Sequence, residues 1–269
     1  ELWGIHKSPV IEKVHTKFLR RILCVKKSTN LAALYGELGR VPLFVMRKIY
    51  MIKYWIKLIT VPDSSLIKIV YNALKSDADR NINYNGNNWA SHIKLILEEH
   101  GLGSIWNNQY QMGAQIQIHT IKLRILDMYK QSWYSEITNS SRLQSYSIFK
   151  HDFTFEKYLD IIKDKKYRIA LSKFRISSHS LFIESGRYDN TPREERICKS
   201  CTMNKVETEY HFLLVCPNYR VERTKYLKAY FCRWPTIHKF ENILSNSSNK
   251  NLNNLAKYIY FAMKKRLIS

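Results

Sequence analysis

The segment Ile197–Arg220, ICKSCTMNKVETEYHFLLVCPNYR, holds three of the five cysteines in the chain, with a histidine between the second and the third. Its candidate ligands follow the spacing C-x2-C-x9-H-x4-C and are Cys198, Cys201, His211 and Cys216. Three thiolates and one imidazole favour tetrahedral Zn²⁺, and four protein ligands leave no coordination position open for a substrate. The spacing therefore predicts a structural zinc that supplies folding energy to a short segment.

Other interpretations of the same residues stay open at this point. Cys198 and Cys201 form a CxxC pair, but a redox CxxC needs a thioredoxin-like strand and helix around it, which this sequence does not indicate. A disulfide has no secretory context to support it. His211 and Cys216 can also be ordinary core residues. Glu207 and Glu209, just before His211, are candidates for contacts to the ligands.

Composition favours a helical protein. Hydrophobic residues make up 45% of the 269 residues and aromatic residues 13%, whereas glycine (8) and proline (6) are rare, so few turns are indicated. The predicted fold class is all-α, a multi-helix assembly with a small zinc-stapled CCHC segment near the carboxyl end. We divide it into a basic helical region at 1–60, a helical middle region at 61–140, a basic helical linker at 141–195, the zinc segment at 196–218 and terminal helices at 219–269.

Positive charge dominates the sequence. The chain has 44 Lys and Arg against 22 Asp and Glu, a net charge of +22. Residues 1–60 contain 12 basic and 3 acidic side chains and residues 201–269 contain 12 and 4, whereas residues 61–110 are nearly neutral. A surface of this kind attracts a polyanion through counterion release, and nucleic acid is the most common polyanion in cells. Simple solubility is the competing explanation.

Two basic segments and one helix supply the predicted phosphate contacts. In the segment 11–25 the apolar residues Ile11, Val14, Phe18, Ile22 and Val25 recur at helical spacing, so this face is predicted to be buried and the cations to lie outside it. Residues 161–175 carry six Lys or Arg and one Asp, with Tyr167 and Phe174 between them. The predicted contacts are Lys13, Lys17, Arg20, Arg21, Lys26, Lys27, Lys163, Lys165, Lys166, Arg168, Lys173, Arg175, Arg220 and Arg223.

Catalytic motifs are not evident. The sequence has no adjacent pair of aspartates, no Gly-rich phosphate loop, no GxSxG and no HExxH, so no catalytic residue is predicted and the chain is not expected to be an enzyme by itself. It also has no apolar run of about 18 residues, so a membrane partner is not expected.

Three blocks of sequence resemble one known family. Residues 191–219, TPREERICKSCTMNKVETEYHFLLVCPNY, resemble the zinc-binding region at the carboxyl end of reverse transcriptases from non-LTR (LINE-like) retrotransposons. Residues 1–58, from ELWGIHKSPV to KYWIKL, resemble the segment that follows the polymerase palm in these proteins. Residues 168–188, RIALSKFRISSHSLFIESGRY, resemble the region between them.

This resemblance implies a fragment. Residues 1–60 would be a thumb-like element that grips template and primer, and the four Cys and His residues would bind zinc. RNA and DNA would be its partners, together with upstream reverse transcriptase and endonuclease domains that carry the catalysis. An intracellular location, in the nucleus and in cytoplasmic ribonucleoprotein, would follow. The alternatives are a host nucleic-acid-binding protein derived from such an element and a helical scaffold for protein interactions.

Overall fold

The computed structural model describes residues 8–80, 88–109 and 114–267, and its secondary structure is predominantly helical, at 68%. The predicted all-α class is confirmed. Within the described residues, β-structure is limited to two isolated bridges, Leu38 with Phe155 and Ile197 with Val206. The α-helices are α1 (Pro9–Leu23), α2 (Leu31–Leu38), α3 (Leu43–Ile59), α4 (Leu66–Asp79), α5 (Trp89–Glu99), α6 (Gly103–Asn107), α7 (Ala114–Asn139), α8 (Gln144–Phe149), α9 (Tyr158–Ile161), α10 (Lys165–Arg175), α11 (Phe182–Ser185), α12 (Arg220–Tyr226), α13 (Ala229–Cys232), α14 (Ile237–Leu244) and α15 (Asn249–Arg266).

Side-chain caps explain where several helices begin. The Asn30 carboxamide oxygen accepts a hydrogen bond from the backbone of α2, Asn88 does the same for α5, and Asp164 does so for α10. Each satisfies an N–H group that has no partner within its own helix. Gly39 ends α2 in the left-handed conformation, with φ +57°, which a residue without a Cβ atom adopts at little cost.

The chain divides into two compact units. One unit contains the chain up to His15 together with Val41–Trp133, and the other contains Thr16–Arg40 together with the chain from Tyr134 onward. This division differs from the five predicted regions, because residues 16–40 leave the 1–60 region and join the zinc segment and its neighbours. Contacts that are distant in sequence cause this difference, such as the hydrogen bond from the backbone N–H of Lys26 to the Ser178 hydroxyl.

A tryptophan pair lies in the core of the first unit. The indole rings of Trp55 and Trp106 stack with centroids 6.2 Å apart, and Trp55 donates its indole N–H to the Tyr71 hydroxyl. Lys68 is fully buried and donates its ammonium group to the carbonyl of Ile59 at 2.8 Å. This contact satisfies a carbonyl in the last turn of α3, and a cation is favourable there because the helix dipole ends negative.

A buried guanidinium joins four parts of the second unit. The side chain of Arg175 in α10 is 2% exposed and makes bidentate ion pairs with Glu37 in α2 at 3.0 Å. It also contacts the carboxylate of Glu156 at 2.9 Å and lies over the rings of Phe149 and Tyr158. Because Glu37 is buried as well, the charges compensate each other where water does not reach them.

The buried face of α1 differs from the predicted face. Val14 and Phe18 are 65% and 58% exposed, and Ile11 and Ile22 are exposed as well. The buried side chains of α1 are instead Thr16, Leu19 and Leu23. Helical periodicity finds two apolar stripes in this segment, and it gives no information about which of them a neighbouring element will cover. The structure therefore leaves the longer apolar stripe open to solvent.

Gly39→Ala is expected to lower the free energy of unfolding by about 2–4 kcal/mol. An added Cβ atom would lie 2.4 Å from the backbone nitrogen of Phe155, and the left-handed backbone would be strained in addition. Urea unfolding followed by circular dichroism measures the loss. Gly101→Ala is the matched control, because Gly101 has φ +70° but its added Cβ would meet nothing closer than Arg124 at 3.9 Å. Equal losses in the two variants would contradict the role assigned to the contact with Phe155.

Candidate metal centre and basic groove

A small hairpin positions the first two candidate ligands. The backbone N–H of Cys198 donates to the carbonyl of Lys205 at 2.8 Å, and that of Glu207 donates to the carbonyl of Arg196 at 2.8 Å. The chain reverses between these bonds, and Asn204 adopts a positive φ of 51° in the turn, a conformation that asparagine tolerates better than most residues. Cys198 and Cys201 therefore lie on one tight loop.

A wide helical turn positions the other two ligands. Residues His211–Val215 form a π-helical turn, in which the N–H of Cys216 donates to the carbonyl of His211 at 2.7 Å. This five-residue hydrogen bond brings the two ends of the turn together, whereas an α-helix would offset them. Pro217 then opens the short 3-10 turn Pro217–Tyr219 that leads into α12.

The four candidate ligands meet at one point. One ligand atom from each of Cys198, Cys201, His211 and Cys216 lies within 4.8 Å of all the others. The sulfurs of Cys198 and Cys216 are 4.0 Å apart, and the Cys201 sulfur is 3.4 Å from Nε2 of His211. A tetrahedral ion bound to sulfur and nitrogen separates its ligand atoms by roughly 3.5–3.8 Å. The cluster therefore has the size and chemistry to hold a metal ion.

Burial favours the neutral forms of Cys198, Cys216 and His211 when no cation is bound. It raises the pKa of the Cys198 thiol to about 12 and also raises the pKa of Cys216. It lowers the pKa of His211, which favours the neutral imidazole that binds metals. A cation would replace the thiol protons and compensate the buried thiolates, as metal binding to cysteine requires.

Glu207 connects the candidate metal centre to the last turn of α15. Its buried carboxylate accepts two hydrogen bonds from Arg266, at 2.8 and 2.7 Å, and one from the backbone N–H of Phe182. The Cys198 thiol lies 3.9 Å from the same carboxylate. Sequence reasoning raised Glu207 as a candidate for contacts to the ligands but missed Arg266.

Two further bonds attach α15 to the metal segment. The Tyr258 hydroxyl donates to the carbonyl of Phe212 inside the π-helical turn at 2.8 Å. The Lys265 ammonium donates to the carbonyl of Asn218 at 2.7 Å. Together with the Arg266 pair, these bonds fix the terminal helix to the segment that carries His211.

Glu209 belongs to a separate buried network. It accepts hydrogen bonds from Ser145, Ser177 and His179 at 2.7, 3.1 and 3.0 Å. Burial alone would raise the pKa of Glu209, but the hydrogen bonds that it accepts from His179 and Ser145 outweigh the effect of burial and lower the pKa to about 2. The other ring nitrogen of His179 accepts from the backbone N–H of Leu181. Both nitrogens of His179 are thus engaged in holding the fold.

A groove of about 590 Å³ lies within the second unit. It is lined by residues of α10 and α15, by Ser178–Ser180 and by Lys26 from the segment after α1. Its cations are Lys26, Lys166, Lys173 and Lys264, and its apolar and aromatic side chains are Ile169, Ala170, Tyr260, Met263 and Leu267. We call this feature the basic groove. Its lining combines cations from three distant parts of the sequence with apolar side chains.

The basic groove collects only part of the predicted phosphate contacts. Lys26, Lys166 and Lys173 line it, and Lys264, which sequence reasoning missed, completes it. The triplet Lys264-Lys265-Arg266 was the available signal. The predicted contacts that are exposed but outside this lining are Lys13, Lys17, Arg21, Lys27, Lys163, Lys165 and Arg220, and those that are half-buried are Arg20 and Arg168.

Two of the predicted phosphate contacts are corrected by the structure. Arg175 is buried in its ion pairs with Glu37 and Glu156, so its guanidinium is not accessible to a polynucleotide. Arg223 is buried as well and donates to the carbonyls of Leu213 and Cys216 at 3.0 and 2.8 Å. Both residues stabilise the interior, because their donors satisfy buried acceptors.

No helix in the described part of the chain is long and apolar enough to cross a membrane. Comparisons of the whole chain with models of protein families, with curated proteins and with solved structures found no match.

Proposed function

We propose that this chain is a nucleic-acid-binding, zinc-containing portion of a reverse transcriptase of the non-LTR retrotransposon type. The observation that carries the binding proposal is the basic groove, whose lining combines four lysines with apolar and aromatic side chains. The lysines of this lining suit phosphates, and Tyr260 on α15 offers a ring to an unpaired base. The family assignment itself is supported by the three resembling sequence blocks.

The proposed role is to hold RNA template and target DNA, while upstream domains of a longer protein carry out the chemistry. The candidate metal centre supports this holding role, because four protein ligands complete a tetrahedral zinc site and leave no position for a substrate. Zinc in this proposal is a structural ion. A location in the nucleus and in cytoplasmic ribonucleoprotein follows from the role.

Replacing Lys166, Lys173 and Lys264 together with glutamine is expected to weaken binding of mixed-sequence single-stranded RNA about 100-fold at 0.1 M salt. Each phosphate contact on a single strand contributes about 0.7 to the slope of log affinity against log salt, so three lost contacts reduce that slope by about two. Fluorescence anisotropy over a salt series measures both quantities. Lys26 is left unchanged, because its ammonium donates to the carbonyl of His179 and has a structural role.

The matched control is the triple replacement of Lys53, Lys57 and Lys122 with glutamine. These lysines are exposed, belong to the first unit and do not line the basic groove, yet their loss changes the net charge by the same amount. An equal effect of both triple variants would indicate diffuse attraction by the net charge of +22 and would contradict a groove-specific site.

One observation favours a second candidate function, a scaffold for protein interactions. The exposed apolar stripe of α1, which includes Val14 and Phe18, is typical of a surface that a partner protein covers. A scaffold would show little affinity for RNA or DNA and no steep dependence on salt. The same salt series therefore separates the two functions.

A further inference from the structure

A second cavity, of about 410 Å³, lies beside the loop that follows α11. Three arginines line it, and its other walls are mostly hydroxyl and carboxamide groups. Its lining residues are Ser141, Arg187, Asn190, Thr191, Pro192, Arg193 and Arg196, and within the described chain no carboxylate belongs to this lining. We call it the arginine cavity. Its walls offer many hydrogen-bond donors and a concentration of positive charge.

One guanidinium of the arginine cavity is fixed by the backbone. Arg196 donates through Nε and Nη2 to the carbonyl of Thr191 at 2.9 and 2.8 Å, and through Nη1 to the carbonyl of Ile183 at 2.8 Å. Each Nη atom carries two hydrogens, so each keeps a second N–H after these bonds. A ligand would therefore meet an arginine that is already ordered, which reduces the entropy cost of binding.

The positive charge around this cavity is only partly compensated. The nearest carboxylate to Arg187 is that of Glu184, at 3.7 Å, and the same carboxylate is 3.8 Å from Arg142. Burial lowers the pKa of Arg187; Glu184 opposes this, while the charges of Arg142 and Arg196 lower that pKa further. One distant carboxylate thus faces two guanidinium groups, and an additional anion would relieve their repulsion.

We propose that the arginine cavity binds a phosphate monoester. Guanidinium groups bind phosphate oxygens through paired N–H donors, and a phosphate dianion is compensated by two or more arginines, whereas a carboxylate carries a single charge. The hydroxyls of Ser141 and Thr191 offer further donors. Three exposed carboxylates on the same loop, Asp189, Glu194 and Glu195, lie outside the lining.

Isothermal titration of inorganic phosphate into the full chain, at constant ionic strength with chloride as the reference anion, tests the site. We expect saturable binding of one phosphate per chain and at least tenfold weaker binding by Arg187→Gln. Arg233→Gln is the matched control, because Arg233 is exposed, lies outside the cavity and is not one of the predicted phosphate contacts. Phosphate binding that is no different from chloride, or an Arg187→Gln variant that is folded and binds phosphate normally, would overturn the proposal.

Arg193→Gln keeps the test decisive if Arg187→Gln fails to fold, because Arg193 makes no contact to the buried Glu184 in the structure. A second arm identifies the source of the phosphate. If the ligand is the end of a nucleic-acid strand, a 5′-phosphorylated oligonucleotide binds more tightly than its 5′-hydroxyl form, and Arg187→Gln removes this difference. If the ligand is a free phosphate, inorganic phosphate binds but the two oligonucleotides bind equally. Strands with a 5′-hydroxyl still report on the basic groove, so failure here is separable from failure of the nucleic-acid proposal.

Discussion

Cys198→Ser and His211→Ala are expected to abolish stoichiometric zinc binding and to lower the free energy of unfolding by about 5 kcal/mol or more. Apparent binding free energies of structural zinc reach about 10–16 kcal/mol in zinc-finger peptides, and this energy is folding energy. The expected loss is smaller than this range, because the buried rings of Phe212 and Tyr219 next to the ligands also stabilise this segment by packing against each other. Elemental analysis of the purified chain, combined with thermal unfolding with and without a chelator, gives both quantities.

Cys24→Ser and Cys232→Ser are the matched controls. Both residues are cysteines outside the candidate metal centre, and both are half-buried. They are expected to retain one zinc per chain and to unfold near the wild-type temperature. Wild-type protein that is fully folded and contains no metal after purification in zinc-supplemented buffer would contradict a structural zinc.

Arg175→Met is expected to lower the free energy of unfolding by about 3–5 kcal/mol, because breaking a buried ion pair leaves uncompensated charge in the interior. Glu37 is fully buried and would lose its bidentate partner, whereas the carboxylate of Glu156 would keep its ion pair with Lys150. Urea unfolding of the full chain, followed by the circular dichroism of its helices, measures this loss.

Two further variants separate the charge effect from a packing effect. Glu37→Gln in the Arg175→Met background removes the orphaned charge, so the double variant is expected to be more stable than Arg175→Met alone. Lys166→Met is the control on the same helix, because its contact to Asp164 at 3.4 Å is exposed and its loss is expected to leave the unfolding midpoint nearly unchanged. If the double variant is less stable than Arg175→Met, the loss of stability comes from altered packing and not from the unpaired charge of Glu37.

Structural features that depend on residues close together in the sequence could be predicted from local sequence patterns. The spacing of the cysteines and the histidine identifies the four residues that the structure brings together. Burial of Arg175 could not be predicted, because its partner Glu37 is 138 residues away. The open apolar stripe of α1 and the completion of the basic groove by Lys264 likewise depend on packing between distant segments, on which periodicity carries no information.

The terminal helix α15 faces the basic groove with Tyr260 and Lys264 and holds the metal segment with Tyr258 and Arg266. A substitution on either side of this helix therefore changes the surroundings of both sites. Substitutions that one site would accept are therefore restricted by the contacts of the other site. Fewer side chains are compatible with α15 than its exposed, lysine-rich end suggests.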